Sequence, residues 1–559
     1  MDFSKEDYFL LTDLYQITMA YSYWKSEKLN ETAVFEVFFR KNPFKGEYTI
    51  FAGLGDILSI IKNFKYSSSD IDYLKKLMPE CDQEFFKFLS KIDASQLTIW
   101  SIDEGATVFP KVPILVIEGP VVVCQLLETL VLNLTNFASL ICTNAFRHRV
   151  CVGDASLIEL GLRRAQGPNG GLTASKYSYI GGFNATSNVL AGKLYDIPVK
   201  GTMAHSFVSS YISADADKFF DKFDESKSNF NKSNPLERNI FVQRCVYWLY
   251  HLAKTFPSKI NLDYVRRTEL VSFAEFACVF PKGFVALLDT YDTLKSGLFN
   301  FCAVSLALLE SGYKAIGVRI DSGDLAFQSV MIRKFLDEVS SKLDIKGIND
   351  LSIIISNDLD EETIASMNQQ DNAIDTYGVG TNLVTCKKEP ALGCVYKLVS
   401  ISGIGTMKIS GNIEKQTLPG KKFAYRLLAS DGMRLNFINY FSLQIGTAIA
   451  DIIQLENEKA PEPHQKILIR HSYDEHKKAY VIPSKVIHLH KLVFQNGQIK
   501  MDKQNVHQIR EKVLANLKIL RADHTRDLNP TPFKVSVSQE LYEYINQIRT
   551  NLTPLNELK

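Results

Sequence analysis

Residues 317–324 read Gly-Val-Arg-Ile-Asp-Ser-Gly-Asp. An apolar run carrying one arginine gives way to small polar residues, and a helical pattern from Leu325 to Lys342 follows. A strand that ends in Arg319, Asp321, Ser322, Gly323 and Asp324 and leads into a helix, with Asp324 able to cap it, is one βα unit of a parallel sheet. Outward from it the pattern repeats. Strand candidates Leu157–Leu162, Val199–Met203, Phe284–Leu288, Ala315–Ile320, Ser352–Ile355 and Ile374–Val379 alternate with helical patterns over Tyr177–Leu194, Leu294–Ser311, Leu325–Lys342 and Glu361–Asn368. Right-handed βαβ units at this spacing can close into a barrel, here placed over residues 126–400. Tyr211 to about Phe273 is too long for a simple loop and is read as a helical insertion that includes the polar run Asp215–Glu237.

The flanks are organised differently. Residues 1–125 mix a helix (Leu14–Lys25), a strand (Ala33–Arg40), a polar helical stretch (Ser67–Lys91) and short strands from Leu97 to Val123 punctuated by prolines. The tail, 401–559, is more polar. It has hairpin-like strands (Met407–Ile409, Phe423–Leu428, Ile467–His471) and two late helices (Val506–Leu520, Ser538–Thr550).

Composition narrows the function classes. With 559 residues, 46% hydrophobic and 23% charged, the chain can bury a large core without disulfides. Lys plus Arg is 64 and Asp plus Glu is 62, so no electrostatic footprint for nucleic acid or an anionic membrane stands out. The nine cysteines form no C-x-x-C pair, which points to a reducing compartment, expected to be the cytosol, and away from zinc ribbons. The N-terminus lacks the basic start and apolar run of a signal peptide. Thr129–Phe146 contains three asparagines and is read as a buried helix. His471, His476, His488 and His490 lack compact ligand spacing.

In a barrel of parallel strands the carboxyl ends face the substrate. Here they supply Arg163 and Arg164, then Thr202 and His205, then Asp289, then Arg319 to Asp324, then Ser356, Asn357 and Asp358, then Gly378, Gly380 and Thr381. Two glycines and a hydroxyl let the backbone approach a phosphate, and Ser322-Gly323 can serve similarly. The arginines are fork-shaped donors for carboxylate or phosphate, and Asp289, Asp321 and Asp324 can hold Mg²⁺ or orient them. Plainer readings stand beside these: an ordinary turn for Gly378–Thr381, surface ion pairs for Arg163 and Arg164, a core histidine for His205, and a passive loop rather than a lid for Gly167–Gly171.

The blocks Leu11–Gln16, Glu159–Gly167, Gly201-Thr-Met-Ala-His205, Leu288–Tyr291, Gly317–Asp324, Ser356-Asn357, Gly378–Thr381 and Lys415–Gly420 together resemble nicotinate phosphoribosyltransferases of the eukaryotic type. The resemblance implies an irregular TIM-like α/β barrel with an additional α/β domain formed by the N- and C-terminal segments. It implies transfer of phosphoribosyl from 5-phosphoribosyl pyrophosphate to nicotinate, coupled to ATP hydrolysis, in an ATP-coupled ligase that needs Mg²⁺ or Mn²⁺ and acts as a homodimer with shared sites. His205 would be the phosphohistidine. Tyr15 from the partner subunit, Thr202 and Arg319 would hold nicotinate. Arg163, Arg164, Ser322, Gly323, Asn357, Gly378, Gly380 and Thr381 would hold the phosphoribosyl donor. Asp289 and Asp321 would meet the metal, Asp289 also the ribose hydroxyls. The alternatives are a nicotinamide phosphoribosyltransferase and a catalytically inactive barrel used for binding. A sugar-phosphate lyase or aldolase would need a Schiff-base lysine, which none of the six strand ends offers.

Overall fold

Six short strands hold the centre of the chain: β1 Ser156–Glu159, β2 Ala185–Thr186, β3 Val285–Leu287, β4 Gly317–Ile320, β5 Ser352–Ser356 and β6 Thr376–Val379. They are seen in a computed structural model that describes residues 8–223, 236–411, 415–429, 446–516 and 519–553. The strands pair in parallel in the spatial order β2-β1-β6-β5-β4-β3. Their side chains are nearly all buried, as strands covered on both faces require. β4 and β5 approach so closely that a Cβ at Gly317 would run into the Ser352 carbonyl.

The sheet curls into part of a barrel. Thr186 at the end of β2 bridges Val199 in parallel. A few residues on, His205 lies 3.1 Å (Nδ1 to Oγ1) from Thr290, just after β3. Val199 to His205 spans at most about 20 Å, so this segment draws the two sheet edges together. The strand expected at Val199–Met203 is therefore not formed. Only Val199 pairs, Ala185–Thr186 takes the place in the sheet, and the chain beyond Val199 leaves to cross the gap.

The covering helices follow apolar spacing. In chain order, α1 is Leu14–Lys25, α2 is Glu128–Val152, α3 is Gly167–Ile180, α4 is Arg267–Val279 and α5 is Leu325–Leu343. α5 buries Leu325, Ser329, Ile332, Leu336 and Val339 on one stripe and is capped by Asp324, whose side chain accepts from the Phe327 N–H at 3.0 Å. The helix expected over Tyr177–Leu194 is two helices, α3 and Val189–Tyr195. They are split at Gly181-Gly182, where Gly182 takes φ +115°, a backbone glycine tolerates. Gly167–Gly171 is not a loop but the first turn of α3, begun by Pro168. The stretch Ser67–Lys91 is likewise two helices, Ser68–Leu77 and Gln83–Leu89, parted at Pro79. The insertion folds as helices Ser213–Phe220 and Arg238–Thr255 with α4, and their apolar faces share one core with the barrel strands. Most of the run Asp215–Glu237 lies outside the described residues.

A seven-stranded sheet joins the two ends of the chain. Thr32–Phe39, Thr98–Ile102 and Leu115–Pro120 pair with Cys394–Ile401 and His490–Gln495, with short edges Ile404–Gly405 and Gln498–Ile499. The strand expected at Met407–Ile409 sits instead at that Ile404–Gly405 edge. A further six-stranded sheet, mostly antiparallel, comes from residues 422–537 and is more extensive than the tail's hairpins suggested. α2 is long and apolar enough to span a membrane by composition, yet 67% of its apolar window is buried inside the protein.

Two buried ion pairs fasten these layers. Lys422 is fully buried, 3.0 Å from Glu36, and donates to the carbonyls of Leu418 (2.7 Å) and Gly420 (2.6 Å). Burial pushes the Glu36 carboxyl up and the Lys422 ammonium down, each partner opposing the other's shift. Arg426 grips Asp451 with two bonds of 2.8 and 2.9 Å and reaches Thr107 O at 2.9 Å. Removing one partner of such a pair strands the other, at a cost of about 3–5 kcal/mol. Lys422→Ala should therefore lower the urea midpoint, and the Glu36→Met/Lys422→Met double variant should recover part of the loss. An unchanged midpoint in Lys422→Ala would contradict this role.

Candidate active site

The carboxyl ends of β3, β4 and β5 are wired together. Ser356, buried at the end of β5, accepts from Arg319 Nε at 2.8 Å and donates to Asp321 Oδ1 at 2.7 Å. Arg319 Nη2 lies 3.3 Å from Asp321 Oδ2. Asp289, after β3, accepts from the Asp321 backbone N–H at 3.1 Å and the Ser322 hydroxyl at 2.5 Å. Arg319, Asp321, Ser322 and Asp289 thus form one constellation, with Gly323 next in chain at φ +79°. Asn357 and Asp358 follow Ser356 at φ +135° and +41°, sparsely populated backbone that turns the chain sharply at the mouth.

The other residues fall on neighbouring strand ends. β6 ends in Gly378 and Gly380 and runs into the short helix Thr381–Thr385. Beyond β1, Arg163 and Arg164 lie exposed in a tight turn. Neither makes an ion pair among the described residues. His205 is exposed rather than a core histidine, and Thr202 is half-buried in the crossing segment. Tyr15 lies elsewhere. It is 46% exposed on α1, in a groove beside Asp13, Glu128, Thr129 and Pro390, none of them at the barrel mouth. Thr290 and the buried carboxylate of Glu159 carry no role in the sequence reading, and Ser356 figures there only as a polar strand end. Each sits beside a charged candidate at a strand end, which was the available signal.

The donor set suits a hard cation held mainly by a substrate. Asp289 Oδ1 is buried with no hydrogen-bond partner among the described residues. No group of three or more metal-ligating side chains gathers among those residues. One or two carboxylates completed by phosphate oxygens and water is the usual way Mg²⁺ is bound.

Behind the site, Glu269 of α4 ties the chain after Asp289. It accepts from Ser296 Oγ at 2.6 Å and Asn300 Nδ2 at 2.9 Å, and a π-turn at Thr293–Gly297 carries that contact.

The model of the nicotinate phosphoribosyltransferase N-terminal domain matches residues 10–136, and that of its C-terminal domain matches 421–545. A nicotinate phosphoribosyltransferase from Caenorhabditis elegans is 48% identical, covering 98% of this chain and 95% of that protein. The human one is 38% identical, covering 98% and 97%.

The chain belongs to the nicotinate phosphoribosyltransferase family.

The crystal structure of human nicotinic acid phosphoribosyltransferase superposes with a TM-score of 0.80 at 36% identity, over 96% of this chain and 99% of that one. A nicotinate-nucleotide pyrophosphorylase from Pyrococcus furiosus shares the fold, with a TM-score of 0.56 at 18% identity over 91% of this chain and 95% of that one. The partial barrel with a second domain is thus the architecture of this family.

Burial pushes the Glu269 carboxyl up to about 7, against the hydrogen bonds from Ser296 and Asn300. The unfolded carboxyl titrates near about 4.3. Between those values the folded chain holds a proton that the unfolded chain has lost, so this group's contribution to stability falls as pH rises from about 4 to about 7. Glu269→Gln should flatten that fall, giving a smaller difference in urea midpoint between pH 5 and pH 8. An equal difference in variant and wild type would sink the assignment.

Proposed function

We propose that this chain transfers the phosphoribosyl group of 5-phosphoribosyl pyrophosphate to nicotinate, releasing nicotinate mononucleotide and pyrophosphate, as the first step of NAD synthesis from nicotinate. The observation that carries the reading is the Arg319–Ser356–Asp321 arrangement. Ser356 occupies Arg319 Nε, and Asp321 spends its oxygens on Ser356 and Arg319. The outward edge of the guanidinium is left as a donor for a carboxylate. An amide would want an acceptor there, and the nearest one is already engaged. This favours nicotinate over nicotinamide, and a competition assay between the acid and the amide would register the difference.

The chemistry follows from the placement. Breaking the bond from carbon 1 to pyrophosphate builds positive charge on the sugar and negative charge on the leaving group. Arg163 and Arg164 are free to face that leaving group, and fixed donors at developing charge are usually the largest catalytic term. Gly378, Gly380 and Thr381, with Ser322, Gly323 and Asn357, hold the 5-phosphate and ribose side. Asp289 and Asp321 would hold Mg²⁺ or Mn²⁺, which would supply charge neutralisation at the pyrophosphate. Arg319 and Thr202 set the pyridine nitrogen toward carbon 1, and orientation of this kind is a large share of a bimolecular barrier.

Tyr15 lies in a groove away from the barrel mouth of its own chain, which suits a homodimer in which it stacks on nicotinate in the partner's site. His205 is exposed at the mouth beside Thr290, as a nucleophile for the γ-phosphate of ATP needs to be. Nine cysteines, none in a disulfide, suit the cytosol.

Arg319→Ala should reduce kcat/KM for nicotinate by about 1.5–3 kcal/mol, roughly 10–150-fold, as a lost charge-assisted hydrogen bond does. Normal nicotinate kinetics in that variant would end the carboxylate assignment. Wild-type protein incubated with γ-labelled ATP should carry label that His205→Asn lacks. An enzyme stimulated by ATP without labelling would remove the histidine step.

A further inference from the structure

Glu159 closes β1 and is 1% exposed. Among the described residues it pairs with no lysine, arginine or histidine. Its carboxylate is satisfied by three donors instead. Oε1 accepts the Gly161 N–H, and Oε2 accepts Thr186 Oγ1 at 2.5 Å and Ser175 Oγ at 2.9 Å. A second layer holds those donors. Asn188 Nδ2 donates to Ser175 Oγ at 3.1 Å, and the Asn188 N–H donates to Thr186 Oγ1 at 3.0 Å. A buried carboxylate without a cation is costly, and neutral donors offset that cost only if all of them stay in place.

Each donor belongs to a different part of the mouth. Gly161 begins the turn that carries Arg163 and Arg164. That turn packs so closely on the segment after β6 that a Cβ on Gly161 would meet the Gly380 carbonyl and Val384 on the helix Thr381–Thr385. Ser175 lies on α3, which starts directly after the arginine turn. Thr186 ends β2, and its backbone bonds to Pro198 O and Lys200 N, both 3.0 Å, launch the segment leading to Thr202 and His205.

We propose that Glu159 is a positioning residue for the pyrophosphate side of the pocket. Its buried carboxylate is the common acceptor that fixes the arginine turn against α3 and β2. The proposal rests on the reading that Arg163 and Arg164 face the pyrophosphate.

Glu159→Gln keeps the volume but turns one oxygen into a donor, which faces either the Gly161 N–H or two hydroxyls. The expected result is a KM for 5-phosphoribosyl pyrophosphate raised about tenfold or more, since small misplacements in a site cost that much. The KM for nicotinate at saturating donor should barely move. Ser175→Ala and Thr186→Val each remove one donor and should shift the same KM in the same direction by less, so the test survives if Glu159→Gln does not fold. Equal rises in both KM values, or a lower melting temperature with unchanged kinetics, would overturn the proposal. Arg163→Ala and Arg164→Ala are measured alongside. If they leave donor KM unchanged, the pyrophosphate reading fails and takes the proposal with it. If they raise it while the Glu159, Ser175 and Thr186 variants do not, the proposal alone fails.

Discussion

The parallel register of β3, β4 and β5 is the constraint on which the site depends. Because Leu287 stands opposite Arg319, and Arg319 opposite Ile354, the residues just beyond each strand emerge at one level. Asp289, Asp321 and Ser356 can then reach one another through bonds of 2.7 to 3.1 Å. A one-residue slip of β4 would send Arg319 to the other face of the sheet and break every bond in that chain. The close approach of β4 to β5 at Gly317 belongs to the same constraint, since any side chain there would push the strands apart.

The second domain is fastened to helices that follow the barrel strands. α2 crosses from the seven-stranded sheet to the barrel, and Arg147 on it makes two bonds to Glu361, at 2.8 and 2.6 Å, in the loop-to-helix step after β5. Lys176 on α3 makes two bonds of 2.8 Å to Asp56 of the N-terminal segment. Both are largely buried, where screening is weak and pairing geometry counts. The helix that opens at the arginine turn is thereby fixed at its middle to the other domain. The late helix Val506–Asn516 packs along the same α3, with Tyr179 and His507 2.8 Å apart.

Much of this could be read from residue order. The alternation of apolar runs and helical stripes gave the barrel strands to within a residue or two at β3, β5 and β6, and α1 from end to end. The misreadings share a cause. Val199–Met203 has strand-like residues, but a strand exists only where a partner lies, and the chain must leave the sheet there to cross the gap. Tyr177–Leu194 kept a helical pattern through Gly181-Gly182 because apolar spacing does not register a reversal of φ. The charged candidates were legible because arginine, aspartate and histidine at strand ends are conspicuous. The parts played by Ser356, Thr290 and Glu159 were not, because they lie in which atoms these residues meet, and most of those partners are distant in sequence.

The same distinction separates the candidate substrate contacts from the groups that hold them. Arg319 is useful only with its guanidinium plane fixed. A free arginine would lose about 2 kcal/mol of side-chain entropy on binding. Here Ser356 and Asp321 have already taken that loss during folding. Arg163 and Arg164 have no such partners among the described residues, so their turn must be fixed through its backbone, and the Gly161 N–H bonded to Glu159 is the point where that happens. The pocket therefore orders its two cationic ends by different means. One is held by direct bonds to the arginine itself, and the other by a buried carboxylate beneath the loop that leaves both guanidinium groups without an ion-pair partner among the described residues.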